Sequence, residues 1–116
     1  PDPEPLPIIN NPDWEQLKNR LLAGDLYPLY NRIRSASFVV NPTIENMIYA
    51  NNVSTALGFI TDGILTVKDE NVVAAAINIL LNQVRYQLTT EEITLWNNAV
   101  NECGFSNIME IIVWRF

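Results

Sequence analysis

The residues that could do acid–base chemistry are two adjacent pairs of carboxylates, Asp69 with Glu70 and Glu91 with Glu92. Each pair opens a stretch with helical periodicity, at the end where the helix dipole favours negative charge. Paired acids at a helix start are typical of capping, whereas a catalytic pair must converge across a cleft with one raised pKa. The spacing therefore favours a structural role, and no catalytic residue is predicted.

Cys103 could act as a nucleophile if its site lowered the pKa of the thiol. The sequence has no histidine, which excludes Ser-His-Asp and Cys-His arrangements and the usual zinc sites. Cys103 also falls on an apolar helix face, which favours a buried structural thiol. Because no phosphate-binding loop, dinucleotide fingerprint or EF-hand loop occurs either, we expect a non-enzymatic protein without cofactor or metal.

Composition indicates a single globular domain. The chain has 116 residues, of which 48% are hydrophobic and 17% are charged. A net charge of −6 argues against nucleic-acid binding, which depends on cations that neutralise phosphates. Four of the seven basic residues lie in the first third, so a local basic patch for an anionic partner is a hypothesis beside a solvated face: Lys18, Arg20, Arg32 and Arg34.

The sequence gives no sign of a membrane protein. No apolar run is long enough to span a bilayer, and the first residues are acidic and proline-rich, unlike a signal peptide. The expected location is the cytoplasm, or a virion for a phage component.

The fold is predicted around a central helix from Asp69 to Leu88. Its apolar residues recur at helical spacing and leave only a narrow polar stripe, so neighbours must cover it on several sides. The clearest local signal follows it: Thr89 and Glu92 form a capping box that starts a helix near Thr90, and Gly104 ends that helix.

Shorter signals divide the rest of the chain. Asn11-Pro12 and Asn41-Pro42 predict helix starts, Gly24 a left-handed helix end, and Asp25 the cap of the next helix. Phe38 is expected to be buried in an extended connector.

The stretch 43–65 is one helix or two, since its apolar phase drifts near Asn51-Asn52. Gly58 predicts a close backbone or ring contact, because glycine is costly inside a helix. Gly63 marks either the end of the helix or a loosened last turn.

These elements predict an all-α fold: a compact bundle of about five helices in one domain, 11–116. Residues 1–10, with four prolines, form an extended arm. Residues 108–116 are strongly apolar and suit either a helix or a strand.

The arm is either a solvated tail or a contact surface for another chain. The apolar segment 108–116 is expected to pack against the bundle, and it forms an interface if it is not buried there, because a contiguous apolar patch is rarely left open to water. The predicted interface residues are Ile8, Ile9, Trp14, Ile112, Trp114 and Phe116. The sequence also has fifteen asparagines, many on predicted helix surfaces, and an uncharged surface suits self-association. Biased genome composition explains the asparagines equally well.

We therefore expect a structural or interaction protein that forms a homo-oligomer, such as a small viral or phage assembly component. One alternative is an acidic inhibitor of a basic protein surface, which requires acids clustered on one face. Another is a helical domain that binds a small ligand in a pocket lined by Tyr49, Phe59, Tyr86 and Trp96.

Overall fold

A computed structural model describes residues 12–38 and 41–111. Five α-helices make up this part: α1 (Trp14–Ala23), α2 (Tyr27–Ser35), α3 (Ile44–Asp62), α4 (Glu70–Asn78) and α5 (Thr90–Glu102). Within the described residues there is no strand, which confirms the all-α bundle of about five helices. None of the helices described has the length and apolar character needed to cross a bilayer.

The helix starts differ from the Asn-Pro prediction. Asp13 caps α1 and accepts a hydrogen bond from the Gln16 N–H, and Thr43 caps α3 and accepts one from the Asn46 N–H. In both cases the cap is the residue after the proline, whose short side chain accepts a hydrogen bond from the free N–H three residues later. The assignment of Asn41 as a cap was therefore wrong, and Asn11 lies outside the described residues.

The corner between α1 and α2 also departs from expectation. Gly24 has φ −111°, which is not left-handed, and Leu26 rather than Asp25 precedes α2 as its cap. A Cβ at Gly24 would lie 2.8 Å from the Arg20 Cα, so glycine permits a close backbone approach. Asp25 instead forms an ion pair with Arg20.

Residues 44–62 form one helix, and a π-helical turn, Gly63–Val67, continues it. The loosened last turn at Gly63 is thus the correct alternative. The close contact expected at Gly58 occurs at Gly63 instead, where a Cβ would lie 2.7 Å from a Val73 methyl. At Gly58 a Cβ would meet nothing within 4 Å.

The central helix is shorter than predicted. α4 continues as a π-helical turn, Ile79–Gln83, and the chain then reverses at Arg85, whose φ is 64°. The reversal places Tyr86 in the core, with its N–H bonded to the Leu80 carbonyl. A helix that continued to Leu88 would turn the Tyr86 ring away from the core. Burial of this ring therefore accounts for the early end of the helix.

The predicted start and end of α5 are confirmed. Thr89 and Glu92 make both bonds of the capping box, and Gly104 is left-handed with φ 84°. Trp96 Nε1 donates to the Met109 carbonyl at 2.7 Å, which fixes a 3₁₀ turn, Asn107–Met109, against α5. Residues 112–116 lie outside the described part, so their choice between helix and strand stays open.

Candidate interaction surface

The first turns of α3 are exposed to solvent on all sides. Every residue from Asn41 to Tyr49 is exposed, including Ile44 at 76%, Met47 at 51% and Ile48 at 56%. Phe38, which was expected to be buried, is 63% exposed. Large apolar side chains in this part of the chain therefore contact water instead of the bundle.

The phase drift noted in the sequence is a change of helix face. At 3.6 residues per turn, the buried residues Val53, Leu57 and Ile60 face the core, and Ile44 and Ile48 lie on the opposite side. We call that opposite side the outer stripe; it comprises Ile44, Met47, Ile48, Asn51, Thr55, Gly58 and Phe59.

The seven residues of the outer stripe carry no charge, but Asp62, exposed and four residues after Gly58, lies on the same side of α3. Phe59, which is 51% exposed, is the last residue of the stripe. This surface was not predicted from the sequence, in which the predicted contact residues lie near the two ends of the chain. The phase drift was the signal that could have revealed it.

Of the predicted interface residues, only Trp14 lies in the described part. Trp14 is half-buried, and its ring meets Phe105 edge-on with centroids 4.6 Å apart. Its contact with another chain stays a prediction. Residues Ile8, Ile9, Ile112, Trp114 and Phe116 lie outside the described residues.

Arg20 joins α1 to two other elements. It binds Asp25 through two hydrogen bonds of 3.0 and 2.7 Å and reaches Glu102 at the end of α5, at 2.8 Å. The guanidinium lowers the pKa of Asp25, chiefly through these hydrogen bonds. Arg20 is thus a structural clamp with its charge neutralised inside the fold.

Arg32 makes a second clamp. It forms two bonds with Glu92, of 2.6 and 2.5 Å, donates to the Gln87 carbonyl and lies over the Tyr86 ring, 5.1 Å from its centre. Hydrogen bonding to Arg32 lowers the pKa of Glu92, while burial raises the pKa of Tyr86. The same carboxylate caps α5, so one side chain links α2 to α5.

Many of the charged side chains that could meet a charged partner are bonded within the fold. In the proposed basic patch, Arg20 and Arg32 are clamped and Lys18 pairs with Glu15 at 2.8 Å. At least seven of the eleven acids in the described residues are also bonded within the fold: Asp13, Glu15, Asp25, Asp69, Glu70, Glu92 and Glu102. Acids held in this way give little support to a charge-mimicking face.

The interior around Trp96 is packed too closely for a ligand site. The apolar cavity that it lines with Leu57, Ile60 and Leu80 measures about 30 Å³, whereas ligand pockets measure roughly 300–1,000 Å³. Tyr49 and Phe59, which were assigned to the same pocket, are 40% and 51% exposed.

Cys103 is buried, as predicted. Its thiol lies 3.0 Å from the Gln16 side-chain oxygen, and burial raises the pKa of the thiol. A protonated buried thiol is a poor nucleophile.

The acids and Cys103 in the described residues form no cluster that could hold a metal ion. Comparison with protein-family models, with curated proteins and with solved structures found no match for this chain.

Proposed function

We propose that the protein is a non-enzymatic interaction protein that self-associates through the outer stripe of α3. The observation that carries the proposal is the exposure of Ile44, Met47, Ile48 and Phe59 on one face of α3. Ile44, Met47 and Ile48 form an exposed apolar cluster at the start of the helix, and exposed apolar clusters mark protein contacts. Helices commonly bind partners through apolar residues at i, i+3 and i+4, which is the spacing of the first three residues.

The size of the patch sets the expected strength. Burying one large apolar side chain fully contributes about 1.5–3 kcal/mol, so eight half-exposed side chains on two copies contribute roughly 6–12 kcal/mol. Association costs about 4–15 kcal/mol in lost freedom of motion. We therefore expect a reversible oligomer whose population depends on protein concentration.

The setting that we propose is assembly of many copies, as in a small viral or phage component. The setting is supported by a contact surface that carries little charge, because identical copies repel one another weakly through it. The internal pairing of most described acids supports it over the acidic-inhibitor alternative.

Sedimentation equilibrium of the native chain and an Ile48→Lys variant tests the proposal. We expect the native chain to show a concentration-dependent mass above one chain, and the variant to be shifted at least tenfold towards monomer, because a buried charge opposes association. Asn101→Lys on α5, also exposed, is the matched control and should associate like the native chain. A native chain that stays monomeric at millimolar concentration would contradict self-association.

A further inference from the structure

We propose that the outer stripe pairs with the same stripe of a second copy, running antiparallel, so that the two Asn51 residues meet at a twofold axis. This inference rests on the proposed function and adds the geometry of the contact. A twofold contact must be self-complementary, since each patch serves both as surface and as partner. The outer stripe meets that condition in size and in charge.

The size pattern changes at Asn51. Before it, the stripe carries Ile44, Met47 and Ile48; after it come the smaller Thr55 and Gly58, and then Phe59. In an antiparallel pair centred between 51 and 52, Ile48 of each copy faces Thr55 of the other, and Ile44 faces Phe59. Each large side chain that precedes Asn51 in one copy thus contacts the part of the stripe that follows Asn51 in the other copy. The twofold axis makes each contact occur twice.

Gly58 is suited to receive such a side chain. The space where its Cβ would stand is open to 4 Å, so the helix backbone is accessible from outside. Met47 of the second copy lies within one turn of this position in the antiparallel register. Its flexible side chain is well adapted to an irregular gap of this kind.

Charge selects the antiparallel direction. In this register Asp62 of one copy lies beside Asn41 and the start of α3 in the other, where free N–H groups and the helix dipole favour a carboxylate. A parallel pair would instead place the two Asp62 side chains together and align the two helix dipoles. Both effects disfavour the parallel arrangement.

Disulfide trapping of an Asn51→Cys variant tests the geometry, once its mass distribution has been shown to match that of the native chain. Mild oxidation should convert most of it to a covalent dimer on a non-reducing gel, because the two thiols face each other at the axis. The native chain, whose Cys103 is buried, should give no covalent dimer under the same conditions.

Asp62→Cys is the matched variant that distinguishes directions. In the antiparallel pair the two positions lie about 32 Å apart along the helices and should not cross-link, whereas a parallel pair would trap both variants equally. Equal trapping, or a native dimer in which Asn51→Cys is not trapped, overturns the antiparallel contact but leaves self-association standing. A monomeric native chain overturns the proposed function itself.

Discussion

At the scale of single residues, Glu92 connects two parts of the fold that are distant in sequence. Its carboxylate accepts a hydrogen bond from the Thr89 N–H in the capping box. It also accepts hydrogen bonds from Nε and Nη2 of Arg32 on α2. The Glu92 side chain is 15% exposed and Arg32 45%, so water screens the pair only in part. Loss of the charge on this carboxylate leaves the Arg32 guanidinium without its charged partner, while Thr89 still caps α5.

We expect Glu92→Gln to lower the free energy of unfolding at pH 7 by about 1–3 kcal/mol through loss of the charged hydrogen bonds to Arg32, because the glutamine oxygen can still accept the Thr89 N–H in the capping box. The pKa of Glu92 lies below its ordinary value of 4.5 in the folded state. The stability that its ionisation contributes is therefore present above about pH 4.5 and is lost as the pH falls through the folded value.

Urea unfolding of both chains between pH 7 and pH 3 checks this prediction. The stability difference between native chain and variant should shrink on acidification. A difference that stays constant across this range would show that the carboxylate charge contributes nothing.

At the scale of elements, the contact between α3 and α4 depends on the absence of a side chain at Gly63. Its backbone is helical, with φ −62° and ψ −32°, so glycine is not needed for conformation. It is needed for space, since Val73 and Val72 both approach within 3.3 Å of where a Cβ would stand.

Gly63→Ala and Gly58→Ala should therefore have opposite effects on the free energy of unfolding. At Gly63 we expect a loss of about 1–3 kcal/mol from overpacking against Val73. At Gly58 we expect a gain of about 0.5–1 kcal/mol, because alanine favours the helix and meets no neighbour. Thermal unfolding at a concentration where the chain is monomeric measures both, and equal effects would contradict the contact.

At the scale of the whole molecule, residues 112–116 are the second predicted contact surface. Ile111 anchors the chain just before them: its N–H donates to the Asn97 side-chain oxygen, and its carbonyl accepts from the Asn97 amide. Its side chain is buried in the core. A truncation that spares Ile111 thus separates the effect on association from the effect on folding.

We expect removal of 112–116 to preserve helical circular dichroism but to weaken self-association, because Ile112, Trp114 and Phe116 are predicted contact residues. Removal of 111–116 should also destabilise the fold through the loss of Ile111. Sedimentation equilibrium gives the first effect and thermal unfolding the second. A shorter chain ending at Ile111 that associates like the full chain would remove these three residues from the interface.

Local sequence signals determined most of the helices. The capping box at Thr89, the left-handed Gly104 and the acids at the start of α4 each depend on atoms within a few residues, so they could be predicted without knowing the fold. The burial of Cys103 and Trp96 followed from helical periodicity in the same way.

Tertiary structure alone decided which apolar face meets the core. Periodicity marks Ile44 and Ile48 as one face and Val53 and Ile60 as another, but it cannot say which one another helix covers. The cap of α2 and the end of α4 were also misjudged, because Asp25 is bound by Arg20 and Tyr86 is buried in the core beneath Arg32. Burial is a property of the whole packed chain, and that is why the candidate surface on α3 could be recognised only once the neighbours of α3 were known.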